Sequence, residues 1–309
     1  MLKQRKLVFL IILSVCFYPA ISGCILWQRG TSDSLNQIEL NQAALKKRVA
    51  VMPFQNNTDV GTAELGRRIS SAIAEKLANT GKIIVVPRKE VEAYMSARGI
   101  LLPLTQNTAM LVGRGLKLNA VVTGAISGID VISKRTGWRI LIPILKKQEY
   151  ISASLVTRLI DVENGTFLMA EAGTGDTAHG TTEDLEWIGS SKHETLSQED
   201  VNRSLNLAID SLTRSLLETL IRAPWKGFIK SVSRSTATIY AGKDVGVKPG
   251  DRFVVYDVAE KITNVVGKTY LIPGKIKATL EVTRVMDNIS EAKIISGQVL
   301  AGDAVHFAG

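Results

Sequence analysis

The chain has 309 residues, a formal charge of +9 and 45% hydrophobic residues, a size for two domains with real cores. Its basic residues are scattered, apart from Lys46-Lys47-Arg48 and Lys146-Lys147. That spread argues against a nucleic-acid-binding stripe and leaves a solvated surface, or attraction to anionic headgroups or cell-wall polymer.

Lys3, Arg5 and Lys6 precede an apolar run from Leu7 to Ala20, followed by Ile21-Ser22-Gly23-Cys24. A basic head, a short apolar run and small residues make a secretory signal. The run is too short for a comfortable membrane-spanning helix, which needs roughly 20 residues. An aliphatic residue, two small residues and Cys resemble the lipobox of bacterial lipoproteins, which implies cleavage before Cys24 and acylation of its sulfur. The alternatives are an ordinary signal peptide that happens to hold a Cys, or an uncleaved anchor. Cleavage discards Cys16, the other of two cysteines, and removes +3 of the charge, leaving +6. A mature chain without a free thiol has no thiol catalysis, disulfide or cysteine metal site. Position 25 is Ile and not the Asp that retains enteric lipoproteins in the inner membrane, which favours the outer one. The expectation is a lipid-anchored outer-membrane protein facing the periplasm. Trp27 sits three residues beyond Cys24, where an indole suits the headgroup layer or is a tether residue without a role.

The first 23 residues are thus the signal peptide, and residues 24–45, rich in Gln, Asn and Ser, are a tether. Arg48 to Phe54 reads as a short buried strand stopped by Pro53. Leu65, Ile69, Ala72, Ile73 and Leu77 recur at helical spacing after Thr62, and Asn79-Thr80-Gly81 stops that helix. Lys82 to Val86 is a second strand. Lys89–Arg98 and Thr108–Leu116 are short helices, and Ala120 to Ile126 is a third strand. Strands separated by helices argue for an α/β layer. Tyr150 to Val162 alternates as a strand, Asn164-Gly165 marks a hairpin, and Thr166 to Ala172 returns. Residues 173–198 read as polar and irregular. Gln198 to Arg222 is a long amphipathic helix ended by Pro224, and Trp225 is expected to plug the junction that follows. Residues 225–309 hold six short β runs between turns such as Lys248-Pro249-Gly250-Asp251, the pattern of a small barrel or sandwich.

Arg48-Val49-Ala50-Val51-Met52-Pro53-Phe54, Leu65-Gly66-Arg67-Arg68-Ile69 and Ile83-Ile84-Val85-Val86-Pro87-Arg88 resemble the opening of CsgG-type curli secretion lipoproteins. They also resemble the amino-terminal domain of TolB. Gly115 to Gly124 and Ser152 to Gly165 are similar to the later strand entry and hairpin of the same group. Gly246 to Tyr256 and Gly302-Asp303-Ala304-Val305 are similar to the carboxy-terminal domain of the flagellar assembly protein FlgT, and the Gly-Asp pairs there read as turn chemistry. The resemblance implies an α+β fold: a two- or three-layer CsgG/TolB-like α/β domain over residues 46–224, then a small barrel-like β domain over 225–309. It implies envelope assembly or secretion, homo-oligomers, and an envelope protein partner or cargo.

In curli channels each subunit places two hairpins in the outer membrane. Here the segments at those places lack a lipid face. Between Gly128 and Tyr150 only Trp138, Ile140, Ile142 and Ile144 alternate, with Pro143 inside the run, and Thr174 to Ser197 is polar. A ring component or accessory is therefore expected in place of a full channel. Trp138 reads either as a membrane-dipping tip or as a packed strand residue, and Trp187 as a contact with a partner subunit. His179, His193 and His306 lack metal-ligand spacing, and no phosphate loop, dinucleotide fingerprint or nucleophile elbow is present. No catalytic residue, cofactor, metal, nucleic acid or small-molecule substrate is expected. The competing reading is a monomeric periplasmic binding module for a protein or cell-wall polymer.

Overall fold

A computed structural model describes residues 45–136, 145–184, 197–257, 260–263, 269–272 and 274–309. All belong to one compact unit, Leu40–Gly309. Trp138, Ile140, Ile142 and Trp187, like Cys24 and Trp27, lie outside the described residues.

The mixed sheet begins with β1 (Lys47–Val51), joined on either side in parallel by β3 (Ile83–Val85) and β4 (Ala120–Thr136). The two-residue β2 (Gln55–Asn56) adds to β4. β5 (Leu145–Asp161) and β6 (Phe167–Asp184) continue antiparallel, in the order β3-β1-β4-β5-β6. Helix α1 (Ala63–Asn79) starts where the Thr62 hydroxyl accepts from the Glu64 N–H, and Gly81, at φ +65°, turns the chain away from its end. Its apolar stripe of Leu65, Ile69, Ile73 and Leu77 is buried. α1 packs beside α4 (Gln198–Arg222), which covers β5 and β6, and Lys76 pairs with Asp210 between them at 2.8 Å. On the opposite face α2 (Arg88–Ser96) and α3 (Gln106–Gly115) share a core with Ala50, Met52, Val121 and Ile160. The α/β part is therefore three-layered.

The tail is a closed barrel in the order β12-β13-β8-β7-β14-β9. Its strands are β7 (Lys226–Ser233), β8 (Thr236–Ile239), β9 (Arg252–Tyr256), β12 (Ile276–Val285), β13 (Ser290–Gly297) and β14 (Ala304–Phe307). A separate two-stranded hairpin, β10 (Glu260–Thr263) with β11 (Thr269–Ile272), lies between β9 and β12 in the chain. Phe253 is at the centre of the barrel core, with Trp225 and Phe307 edge-on to it, each 5.6 Å away. Trp225 is buried at the junction as its position suggested, and its Nε1–H donates to the Lys46 carbonyl at 3.1 Å. The two cores interlock: Leu45 packs into the barrel, while Phe228 belongs to the core of the three-layered α/β part, hereafter the sandwich.

Two expectations are corrected. The strand expected to end near Ile126 runs on to Thr136, and its partner starts at Leu145, not Tyr150. Residues 173–184, expected to be irregular, form the second half of β6. The cause is backbone pairing: β5 is hydrogen-bonded on both sides along its whole length, so its neighbours stay extended without an apolar face to bury.

Candidate functional site

The central feature is a three-stranded blade. Its root lies under α4, where Ile151, Ala153, Leu155 and Leu159 of β5 are buried at alternate positions. Small residues allow the helix to come close. A Cβ on Gly173 would stand 2.6 Å from Leu212 Cγ, and one on Gly175 would stand 2.0 Å from the Ser204 carbonyl oxygen. The buried Ser204 hydroxyl fastens this contact. It accepts from the Ala153 N–H at 3.0 Å and faces the carbonyls of Ile151, at 2.9 Å, and Gly175. Its single proton serves one of those two carbonyls at a time.

Beyond Ile151 the three strands continue in register. β4 pairs with β5 out to Thr136↔Lys146, and β5 with β6 out to Leu145↔Asp184. The six residues from Leu145 to Tyr150 extend it by about 20 Å. Both margins are open among the described residues. β1 and β2 accompany β4 only as far as Ile126, and no strand pairs with the outer side of β6. Open edges are templates for another chain and are commonly guarded by Lys or Pro. The 18 residues of β6 contain neither, and its charged residues are the acids Glu171, Asp176, Glu183 and Asp184.

The root of the blade is fixed to the barrel by a charge cluster. Lys226 of β7 reaches Asp161 at 2.8 Å and Glu163 at 2.7 Å, and His306 Nε2 of β14 lies 3.0 Å from Glu163 Oε1. The His306 ring meets Tyr256 edge-on at 4.9 Å. Burial pushes the Glu163 carboxyl up, but the His306 hydrogen bond and the Lys226 charge outweigh it and hold it at about 2. Burial likewise pulls Lys226 down, and the two carboxylates more than reverse that, so its pKa is raised. Asn119 joins the same junction, donating to the Lys226 carbonyl and accepting from the Arg48 N–H at 2.6 Å. Lys47, 5% exposed beside this cluster, has no carboxylate partner among the described residues, and burial lowers its pKa to about 8.

A groove of about 260 Å³ opens on the other sheet face between Met52, Gly124, Val156, Arg158 and the loop carrying Leu102 and Leu104. Among the described residues no group of three or more His, Cys, Asp or Glu is placed to hold a metal ion, and no helix is long and apolar enough to cross a membrane. His306, read from sequence as isolated, is part of the junction cluster. The cluster was missed because its members lie at positions 161, 163, 226 and 306, and only the fold brings them together.

The profile of the family described as "Curli production assembly/transport component CsgG" matches residues 31–243, more than half of the chain. The chain belongs to the CsgG family. Solved structures similar to this CsgG-family chain include the hypothetical protein CT253 from Chlamydia trachomatis, with 15% identity and a TM-score of 0.35, covering 57% of this chain and 98% of that one. Lipoprotein GNA1162 from Neisseria meningitidis has 15% identity and a TM-score of 0.33, with 55% and 97% covered. A PelC dodecamer from Paraburkholderia phytofirmans has 17% identity and a TM-score of 0.27, with 59% and 91% covered. No curated protein matches the sequence.

Proposed function

We propose that this CsgG-family chain is a non-enzymatic lipoprotein, anchored through Cys24 in the outer membrane and facing the periplasm, where copies join into a ring that serves assembly or secretion across the envelope. The observation that carries the proposal is the blade with two different open edges, β4 beyond Ile126 and the outer side of β6. Pairing one edge with the other edge of the next copy is a head-to-tail contact, which closes into a ring when the rotation per copy permits. In sequence the strand ends carry Lys134, Arg135, Lys146, Lys147, Glu183 and Asp184, a charge density that disfavours an apolar band there. A periplasmic ring or accessory component is thus favoured over a pore.

The test is the mass of the detergent-purified full chain, with imaging. Rings are expected for the natural sequence, and smaller species for Val131→Lys and for Thr174→Lys with Asp176→Lys, at unchanged circular dichroism. A strict monomer of the natural sequence refutes the ring. The same open edges also fit a second reading, in which an extended segment of a protein partner adds to β6. Deleting residues 176–196 separates the two: an oligomer that survives while partner binding disappears favours the binding module.

A further inference from the structure

The chain enters its folded body at Leu45, which packs into the barrel core, and at Lys46, whose N–H donates to the Val245 carbonyl at 2.8 Å. Two charged surfaces border this entry. One is the loop after β8. There the exposed Lys243 is accompanied by Asp244 and by Asp287, whose carbonyl accepts from the Asp244 N–H at 2.9 Å, so acids offset the cation. The other is the seam between the end of α3 and the strands β7 and β8.

The seam gathers cations without acids. Lys117 Nζ lies 4.6 Å and Lys230 Nζ 6.0 Å from the centre of the Tyr240 ring, so two ammonium groups share one aromatic side chain. The Arg114 guanidinium lies 5.7 Å from the Phe228 ring and donates to the Glu163 carbonyl at 2.8 Å. No carboxylate pairs with Arg114, Lys117 or Lys230 among the described residues. Lys117 also holds its place against backbone preference. It follows the Leu116 cap of α3 and stands at φ +58°, a left-handed position usually given to glycine. Strain kept in a non-glycine residue points to a use for its side chain. Within the body that ammonium finds only the Tyr240 ring and the Arg114 carbonyl, at 3.3 Å. Three like charges on one seam attract an anion.

The chain itself supplies one. Residues 30–45 contain Asp33 and Glu39 and neither Lys nor Arg. Glu39 precedes Leu45 by few residues, a reach of at most about 20 Å, so it meets only surfaces that border the entry. Lys117 is on such a surface: the Asn119 N–H, two residues on, donates to the Arg48 carbonyl at 2.8 Å, and Arg48 is two residues beyond Lys46. A carboxylate held this close has an effective concentration in the millimolar range, which a separate acidic partner of weak affinity does not match. The family profile begins at residue 31, so this segment belongs to the module that CsgG-family chains share.

We propose that the segment before Leu45 lies along the seam between α3 and β7–β8, with the Glu39 carboxylate held by Lys117 and Lys230. The unattached part of the tether then shortens to residues 25–38, and the chain leaves the body from the α3 side of the junction. The inference refines the tether of the proposed lipoprotein and is independent of both the ring and the lipid.

A glutamate-specific protease cuts after Glu39 wherever that residue is accessible. The full detergent-purified chain is digested, and release of the amino-terminal fragment is followed with time by mass spectrometry. The expected result is cutting at Glu39 about five-fold faster in K117M/K230M than in the natural protein, the effect of two exposed ion pairs. K117R/K230R should keep the natural rate, and so should K243M, which removes a cation from the other surface. High salt should bring the natural protein toward the rate of K117M/K230M, because exposed pairs are screened. K117G, which relieves the left-handed backbone as it removes the ammonium, should speed cutting without lowering the melting temperature. Equal cutting in natural and K117M/K230M proteins of unchanged circular dichroism overturns the proposal, and so does equal acceleration by K243M. Protection that weakens when the natural protein is diluted overturns it in favour of the same segment from a second copy. The ring is read separately, from mass in detergent, so either reading can fail alone.

Discussion

Replacing Lys226 by Met leaves Asp161 and Glu163 facing each other across the junction without their cation. The side chain of Asp161 is 4% exposed and that of Glu163 is 24% exposed, so water replaces little of what is lost. Holding the Glu163 carboxyl at about 2 in place of 4.5 corresponds to about 3 kcal/mol shared between His306 and Lys226, and removing one partner of a buried pair costs about 3–5 kcal/mol. We expect K226M to lose about 3 kcal/mol at pH 7, a fall of about 1 M in the urea midpoint for a slope near 3 kcal/mol/M. The sign follows from the direction of each displacement. The depressed Glu163 contributes fully above 4.5, and its contribution fades as pH falls toward about 2. The raised Lys226 contributes fully below 10.5, and its contribution is lost as pH climbs through its folded value. The difference between natural and K226M proteins should therefore be flat from about pH 5 to 10 and shrink on either side. Adding D161N and E163Q to K226M should recover part of the loss, because the uncompensated charges disappear. Urea titrations followed by circular dichroism across that range decide it. A loss below about 1 kcal/mol at pH 7, or a difference that grows toward pH 2, refutes the cluster as the fastening of barrel to blade.

Gly175→Ala places a Cβ 2.0 Å from the Ser204 carbonyl oxygen, so α4 must lift from β6, and thermal melts should show a loss of about 1–3 kcal/mol. Ser204→Val strands the Ala153 N–H and should cost about 1–3 kcal/mol by the same assay, with Ser204→Thr costing less if the added methyl is accommodated. Lys47 behaves in the opposite sense to Lys226. Its folded pKa of about 8 lies below 10.5, so the unfolded chain binds more protons between those values and stability should rise with pH across that window. Lys47→Met should abolish that rise and stabilise the protein at pH 7 by up to about 3 kcal/mol, measured as the urea midpoint.

Much of the fold could be read where an element buries one face. The spacing of Leu205, Ala208, Ile209, Leu212, Leu216 and Leu220 placed a helix over Gln198–Arg222, and the structure has it there. Asn164-Gly165 gave the β5–β6 turn, where Gly165 stands at φ +75° and the Asn164 side chain accepts from the Thr166 N–H at 2.9 Å. Asp251 proved to be turn chemistry, accepting from the Lys248 N–H at 2.8 Å. The outer blade escaped detection because its strands are held by backbone hydrogen bonds, which leave no period in the sequence. Thr174 to Asp184 therefore read as a loop. The β10–β11 hairpin escaped for a similar reason, with four residues a side and no place in the closed barrel. The junction cluster lies on a different level of information. Asp161 and Glu163 flank a local turn, but Lys226 and His306 reach them only after the barrel has closed.

The outer edge of β6 has no Lys, Pro or pairing strand along its 18 residues among the described residues. A monomer that kept this strand bare would offer the outward-facing backbone groups of about half of its 18 residues to any extended chain in its compartment. The barrel solves the same problem by closure, since β12, β13, β8, β7, β14 and β9 leave no strand unpaired on either side. The sandwich guards its other margin by length, because β3 has only three residues. Among the described residues the long edge of β6 and the outer part of β4 are left open, on opposite sides of the blade. In the proposed ring a neighbouring copy would cover these edges. If that is right, lowering the protein concentration should release copies whose β6 amides exchange rapidly with solvent while the barrel strands stay protected. Equal exchange of the β6 amides in dilute and concentrated samples, both verified to contain folded protein, would mean that no neighbour covers the edge.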